Sequence, residues 1–318
     1  MHPKVSVNIC CYNSEKFIKE TIQSVLDQTL KDFEVIIIDD GSKDRTGEII
    51  GGFNDERIKY CYQENKGLSA SRNKAIALSS GEYIALLDHD DLWEKEKLEM
   101  QIRLFESNPR LGLVFSDAYQ IDECNKVLGN SFSIIKPFRG DVFKNLIRNN
   151  FIPCLTIVMR RQFLDKAGYF RENYYIAEEY DCLIRLSVIS EFDFVNMPLG
   201  SYRLHAGNIS KNIEIRHKEI MSIMHNLKEM TSDVECLKLI EKRIVETRIQ
   251  LGCYYLEKGE GEKARHEFRS VLSAKRANVL AFMYLMISLM PDKYMLKITG
   301  VKNSIKDMLK RIINSLFL

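Results

Sequence analysis

Within the first 120 residues, short β-type runs alternate with helix-like stretches. The runs "KVSVNIC", "FEVIIID", "RIKYCY", "EYIALLD" and "LGLVFSDAY" are apolar and rich in β-branched and aromatic residues. Between them lie "SEKFIKETIQSVLDQ", "SKDRTGEIIGGF", "LSASRNKAIALSS" and "EKEKLEMQIRLFESN", each amphipathic at helical spacing. This order predicts an α/β layer with a largely parallel sheet. "VIIID" and "IALLD" are apolar without alternation, as expected of strands covered by helices on both faces. A chain of 318 residues is long enough for one large domain or two smaller ones.

Open α/β sheets bind ligands outside the carboxyl ends of their strands. Cys11, Tyr12 and Asn13 follow the first strand, Asp39 and Asp40 end another, and Asp88, Asp90 and Asp91 end a third. Three carboxylates within four residues repel unless a cation or protons compensate them. Either the turn is solvated, or it holds something positive. Hard divalent ions such as Mg²⁺ or Mn²⁺ suit oxygen ligands, and Mg²⁺ completes its shell with water and substrate phosphates. Neither a P-loop nor a G-x-G-x-x-G after the first strand is present, so a diphosphate would be neutralised by metal and by side chains such as Arg72 or His205. Asp40 could hold a base, since a carboxylate accepts from ring N–H groups. Taken alone, Asp39-Asp40-Gly41-Ser42 reads equally as a turn that caps a helix.

Net charge of +2 argues against a global field for nucleic acid or membrane. "MHPKVSVNICCYN" lacks the regions of a signal peptide. The eight Cys form no C-x-x-C and suggest reduced thiols. No apolar run reaches the roughly 18 residues of a membrane span; "ANVLAFMYLMISLMP" (277 to 291) falls short. These features predict a cytoplasmic protein.

Residues 126 to 211 are less regular, with "CLTIVM" as a strand candidate and "AEEYDCLIRLSVI" as a helix. Beyond 211 the pattern turns helical, which places a boundary between 1–211 and 212–318. "LGCYYLEKGEGEKARHEFRSVL" has the L-G-x2-Y…A-x3-F spacing of one tetratricopeptide-like unit, near 248–277. From residue 261 onward eleven Lys or Arg stand against four Asp or Glu. A helix over "VKNSIKDMLKRIINSLFL" could lie on an anionic membrane surface, or simply present a solvated basic face.

"PKVSVNICCYN", "SVLDQTLKDFEVIIIDDGSKDRT", "NKGLSASRN" and "GEYIALLDHDDLWEKEKLE" together resemble glycosyltransferase family 2. Further on, "PCLTIVMRRQFLDKAGYF", "AEEYDCLIRL" and "YRLHAGNIS" resemble its acceptor-side segments. The resemblance covers roughly residues 3 to 211. It implies a GT-A fold, a Rossmann-like mixed sheet with helices on both faces, followed here by a smaller all-α region. It splits the first domain into a nucleotide-sugar half (about 1–125) and an acceptor half (126–211). The implied activity is inverting sugar transfer from a nucleotide diphosphate sugar, commonly a UDP-sugar, with Mn²⁺ or Mg²⁺. The acceptor would be a glycan or lipid-linked hydroxyl, as in bacterial surface polysaccharide synthesis, with no nucleic acid involved; peripheral membrane contact rests on the basic tail alone, beside the reading of a solvated face.

By position, the resemblance makes Cys10, Cys11 and Tyr12 nucleotide contacts, Asp40 the reader of the base and Asp39 its support. Arg72 becomes a nucleotide or phosphate contact. Asp90 becomes the direct metal ligand, joined at the metal site by Asp88, which also lies nearer the ribose, with Asp91 orienting the turn. His205, in Y-R-x-H, takes a diphosphate or metal-side role. Family members usually read Glu-Asp where this chain has Glu178-Glu179, so Glu179 falls on the base position with one extra methylene. Asp181 is the alternative base. Trp93 is expected to anchor the following helix, Thr156 to line the acceptor cleft or the core, and His89 to be exposed. Two other functions compete: a non-catalytic scaffold binding a partner through its helical tail, and a sugar nucleotidyltransferase, which lacks its Gly-rich loop here.

Overall fold

The computed structural model describes residues 2–274 and 279–289. They divide into two compact units, with the boundary between Ile209 and Ser210.

The first unit runs β1 (Val5–Cys11), α1 (Ile18–Leu26), β2 (Phe33–Asp39), α2 (Thr46–Gly51), β3 (Ile58–Tyr62), α3 (Leu68–Leu78), β4 (Tyr83–Asp88), β5 (Leu92–Trp93) and α4 (Lys97–Ser107). It continues with β6 (Leu111–Ile121), β7 (Val127–Asn130), α5 (Phe143–Arg148), β8 (Val158–Arg160), α6 (Arg161–Ala167), α7 (Glu178–Ser187) and β9 (Glu191–Arg203). The strands form one sheet in the order β3-β2-β1-β4-β8-β6-β9-β5, with β7 paired to β6. β3, β2, β1 and β4 are parallel, as the alternation predicts. β8 is antiparallel to both β4 and β6, and the sheet is therefore mixed.

The two faces of β1 explain the helices on both sides. Val5, Val7, Ile9 and Cys11 join Ile18, Ile22 and Val25 of α1 and Leu98, Ile102 and Phe105 of α4 in one buried cluster. Cys10 points the other way, into a cluster with Ile36, Ile38 and Ala75. Side chains such as Ile22 and Ile102 each contribute about 1.5–3 kcal/mol by burial. The helix α1 buries Ile18, Thr21, Ile22 and Val25, one face of a helical period.

Two local readings are corrected. "CLTIVM" gives a strand only over Val158–Arg160, because Cys154–Thr156 folds as a 3₁₀ turn instead. Thr156 is fully buried there, its hydroxyl donating to Pro153 O at 2.7 Å and accepting from Ser116 N–H, so it belongs to the core. His89 is half-buried rather than exposed, and its carbonyl accepts from the Thr21 hydroxyl at 2.9 Å. Trp93 anchors the following helix as expected: it is buried, with Lys97 Nζ of α4 4.0 Å from its ring centre, and it also donates its indole N–H to Leu155 O at 2.8 Å.

The second unit holds α8 (Ile213–Met230), α9 (Val234–Glu257), α10 (Gly261–Ala274) and α11 (Val279–Ser288). Leu251, Tyr255, Ala264 and Phe268, the residues of the tetratricopeptide-like spacing, meet in one buried cluster. Gly252 lets the helices approach: a Cβ there would lie 2.5 Å from the Phe268 ring. The basic helix expected over "VKNSIKDMLKRIINSLFL" lies outside the described residues.

Candidate functional site

Parallel register brings three strand ends level. Cys10 pairs with Asp88 and Cys11 with Asp39, so β1, β2 and β4 finish along one rim. The loop after β1 is stitched to the loop after β2. Asn13, at φ 50, donates its N–H to Ser42 Oγ (2.9 Å), and its side-chain oxygen accepts from Lys43 N–H (2.8 Å). Ser14 N–H donates to Thr46 Oγ1 at 2.7 Å. This holds Tyr12 at the rim, where the residue is 47% exposed.

The first-strand cysteines take opposite sides. Cys11 packs in the core and donates weakly to Ile38 O at 3.5 Å; at the rim its carbonyl accepts from Asp40 N–H at 2.8 Å. Cys10 faces the charges of Arg72, Asp88, Asp40 and Glu178, and burial pushes its thiol up to about 12, so it stays neutral.

Asp39 and Asp40 are both buried and both engaged. Asp39 accepts from Ser42 N–H (2.9 Å) and from the Tyr60 hydroxyl (2.9 Å). Asp40 accepts from the Gln63 amide (2.7 Å), Lys66 N–H (2.9 Å) and Gly67 N–H (2.8 Å). Its carboxylate therefore anchors the entry to α3, with three of about four acceptor positions taken.

The acidic turn after β4 is compensated residue by residue. Arg72 Nη2 donates to Asp88 Oδ1 at 2.8 Å. Asp90 is 7% exposed, and its Oδ2 lies 2.7 Å from His205 Nε2 and 3.3 Å from the Asn208 amide nitrogen. Asp91 is fully buried and accepts from Arg203 N–H at 2.9 Å; burial, followed by the charges of Asp90 and Asp88, raises its carboxyl well above the usual range.

Arg203 is a buried hub that sequence reasoning left without a role. Its Nε donates to Asp90 O at 2.8 Å, Nη1 to Asn125 Oδ1 at 2.5 Å and Nη2 to Glu20 Oε2 at 3.0 Å, with the guanidinium 4.6 Å from the Phe17 ring centre. Asn208 was missed as well, although both stand in the quoted "YRLHAGNIS". What the string could not give is the distance: Asp90 and Asn208 are 118 residues apart.

The acceptor-side acids begin α7. Glu178 is 1% exposed and receives Arg72 Nη1 at 2.5 Å. Glu179 is half-buried; burial, with the Glu178 charge adding to it and Arg72 opposing, raises its carboxyl to about 8. Asp181 is clamped by Arg185 Nε (2.8 Å) and Arg171 Nη1 (3.2 Å). Arg185 in turn donates to the carbonyls of Ala167, Gly168 and Tyr169, tying α7 to the segment before it.

The donor set fits a hard divalent ion of low protein coordination. Adjacent ligands on an octahedral ion of Mg²⁺ size lie roughly 3 Å apart. The 2.7 Å separation of Asp90 Oδ2 and His205 Nε2 is close to that. Among the described residues no group of three His, Cys, Asp or Glu converges as a metal cage, so phosphate and water oxygens would complete the shell.

The curled mixed sheet with its acidic strand rim is the GT-A architecture. Residues 6–167 match the profile described as Glycosyl transferase family 2. The chain belongs to this family. An uncharacterized glycosyltransferase of Rickettsia conorii is 37% identical over 209 residues, covering 64% of this chain and 33% of that protein. The chain thus spans about a third of the length of the first such relatives. The UDP-Glc:alpha-D-GlcNAc-diphosphoundecaprenol beta-1,3-glucosyltransferase WfgD of Escherichia coli is 33% identical over 216 residues, covering 65% of this chain and 80% of its own. In fold, the chain resembles TarS 1-349 of S. aureus, crystallised with UDP-GlcNAc, at TM-score 0.65 and 19% identity over 92% of this chain and 90% of that one. It also resembles the mannosyltransferase PcManGT of Pyrobaculum calidifontis, in complex with GDP-Man and Mn²⁺, at TM-score 0.60 and 15% identity over 95% and 87%.

Proposed function

We propose that this protein is a metal-dependent inverting glycosyltransferase that moves a sugar from a UDP-sugar to a hydroxyl of a lipid-linked glycan. The observation that carries this reading is the meeting of Asp90 and His205 at the strand rim, on the same unit as a carboxyl of raised proton affinity, Glu179. The lipid-linked acceptor named for WfgD and the UDP-GlcNAc bound by TarS support the choice of donor and acceptor.

Asp40 and Tyr12 receive the base, and Asp88 lies toward the ribose. Asp90 and His205 would hold Mn²⁺ or Mg²⁺, which supplies Lewis-acid stabilisation of the diphosphate charge. Glu179 takes the proton of the acceptor hydroxyl. The freed oxygen bonds to the anomeric carbon from the face opposite the diphosphate. The bond to the diphosphate oxygen breaks with its electron pair going to that oxygen, and the anomeric centre inverts. Glu179 rather than Asp181 fits the base, because both Asp181 oxygens are held by arginines.

Among the described residues no helix is long and apolar enough to cross a membrane. Peripheral contact with the inner membrane face fits the exposed His266 and Arg269, which border a cavity of about 420 Å³ on α10, and the exposed Phe282, Met286 and Leu289.

The deciding experiment measures nucleotide release from a panel of sugar nucleotides with Mn²⁺, Mg²⁺ or EDTA, with undecaprenyl-diphosphate sugars as acceptors. Metal-dependent turnover of one donor supports the reading. No turnover of any donor overturns it and favours the scaffold.

A further inference from the structure

The mechanism above uses Glu179 and leaves Glu178 without a part, yet Glu178 is the more deeply buried of the two. Its partner Arg72 is 3% exposed and has both ends of its guanidinium committed. Nη1 donates to Glu178 Oε1 at 2.5 Å, while Nη2 donates to Asp88 Oδ1 at 2.8 Å and meets Cys154 Sγ at 3.4 Å. The guanidinium carbon lies 5.5 Å from the Phe170 ring centre. One buried cation thus joins the end of β4 to the first residue of α7, and Arg72 itself stands 106 residues from Glu178 along the chain. A guanidinium that donates from its two ends to two carboxylates fixes geometry as well as charge, which a lysine's point charge would not do.

The sequence makes Arg72 a contact for the nucleotide or its phosphates. Its two carboxylate bonds give it a further task. We propose that Glu178 is a positioning residue for sugar transfer: through Arg72 it ties the first turn of α7 to Asp88 and so holds the Glu179 carboxylate at a fixed place beside the donor rim. This deepens the transferase reading and rests on Glu179 as the base. A base displaced by about 1 Å can lose on the order of 100-fold in rate. The tie also rationalises Glu at the base position, because a longer side chain needs a better-fixed helix to place its carboxylate.

The test uses the full chain and the best donor of the panel with Mn²⁺. Glu178→Ala is expected to lower kcat by about 30- to 100-fold, while the KM for donor and the Kd for UDP with Mn²⁺ stay within about threefold. Glu178→Gln keeps an oxygen that accepts from Arg72 Nη1, and is expected to return kcat to within about tenfold of the parent. An unchanged kcat in Glu178→Ala, a matching loss of UDP affinity, or a Gln variant as slow as the Ala variant overturns the proposal. Should Glu178→Ala fail to fold, Glu178→Asp keeps the charge and withdraws one methylene. A fall in kcat of about tenfold or more at unchanged UDP affinity is then expected, and parent-like kcat overturns the idea.

Amide exchange separates this proposal from the transferase reading. Exchange over 178–182 is expected to be about tenfold faster in Glu178→Ala and restored in Glu178→Gln; equal rates sink the tie. A parent protein that binds UDP yet turns over no donor sinks the transferase reading, while the exchange result still decides the tie.

Discussion

His205 Nε2 lies 2.7 Å from Asp90 Oδ2, although 115 residues separate them. The contact closes the far end of β9 onto the turn after β4, and Arg203 and Asn208 hold it from either side. An acidic turn alone would be ambiguous, but one with an imidazole brought to it has the ligand types of a divalent-ion site.

Removing either member tests this pairing. Asp90→Ala and His205→Ala should each abolish the Mn²⁺-dependent part of UDP binding measured by calorimetry. The far-ultraviolet dichroism should be unchanged, because the site sits at the strand rim and not among the apolar layers. UDP affinity that stays equally sensitive to Mn²⁺ in both variants would remove these residues from the cation site.

Glu179→Gln should leave UDP binding within about twofold and reduce transfer by at least about 100-fold, since the amide cannot take the hydroxyl proton. The sign of the pH dependence follows from the raised carboxyl. Glu179 acts only when ionised and its value is about 8, so kcat should climb with pH from 6 toward 9 and level off above that value. A rate that falls across this range would contradict the assignment.

Asp181→Asn is expected to act on stability. It breaks two ion pairs around a buried carboxylate and leaves Arg185 half-compensated, a change worth roughly 3–5 kcal/mol in buried cases and less here because Arg171 is 39% exposed. Urea denaturation should detect a lowered midpoint, while the kcat of the folded fraction remains that of the parent. A specific loss of kcat at unchanged midpoint would make Asp181 the base instead.

Asp40→Asn should weaken both fold and nucleotide binding. The amide that replaces one oxygen turns a donor toward backbone N–H groups of Lys66 or Gly67, or toward the Gln63 amide. Leaving one such buried donor unmet costs about 1–3 kcal/mol, which chemical denaturation can read. Full stability together with full UDP affinity would show that the three bonds do not matter.

Gly252→Ala should destabilise the second unit by about 1–3 kcal/mol, because the new methyl meets the ring of Phe268 and the helices must separate. Protease sensitivity after residue 210 should rise while UDP binding stays unchanged. A silent substitution would mean that α9 and α10 pack more loosely than their contacts indicate.

Sequence alone determined the parallel half of the sheet, the rim and its acids, because strand and helix periods are local and apolar runs of this length have few other solutions. β2 to β4 and α1 to α4 all lie within the stretches read as strand and helix, and β1 runs one residue past its stretch, to Cys11. The same locality explains the misreading of "CLTIVM": a β-branched run does not reveal that Thr156 will satisfy its hydroxyl on Pro153 and turn. What only the tertiary structure decided is how the charges are shared. Arg72 is divided between Asp88 and Glu178, Asp181 is taken by two arginines, and Arg203 and Asn208 converge on Asp90. Hydrogen bonds and ion pairs act over a few ångströms of space without regard to distance along the chain. Partners separated by about a hundred residues therefore become visible only once the sheet has brought them together.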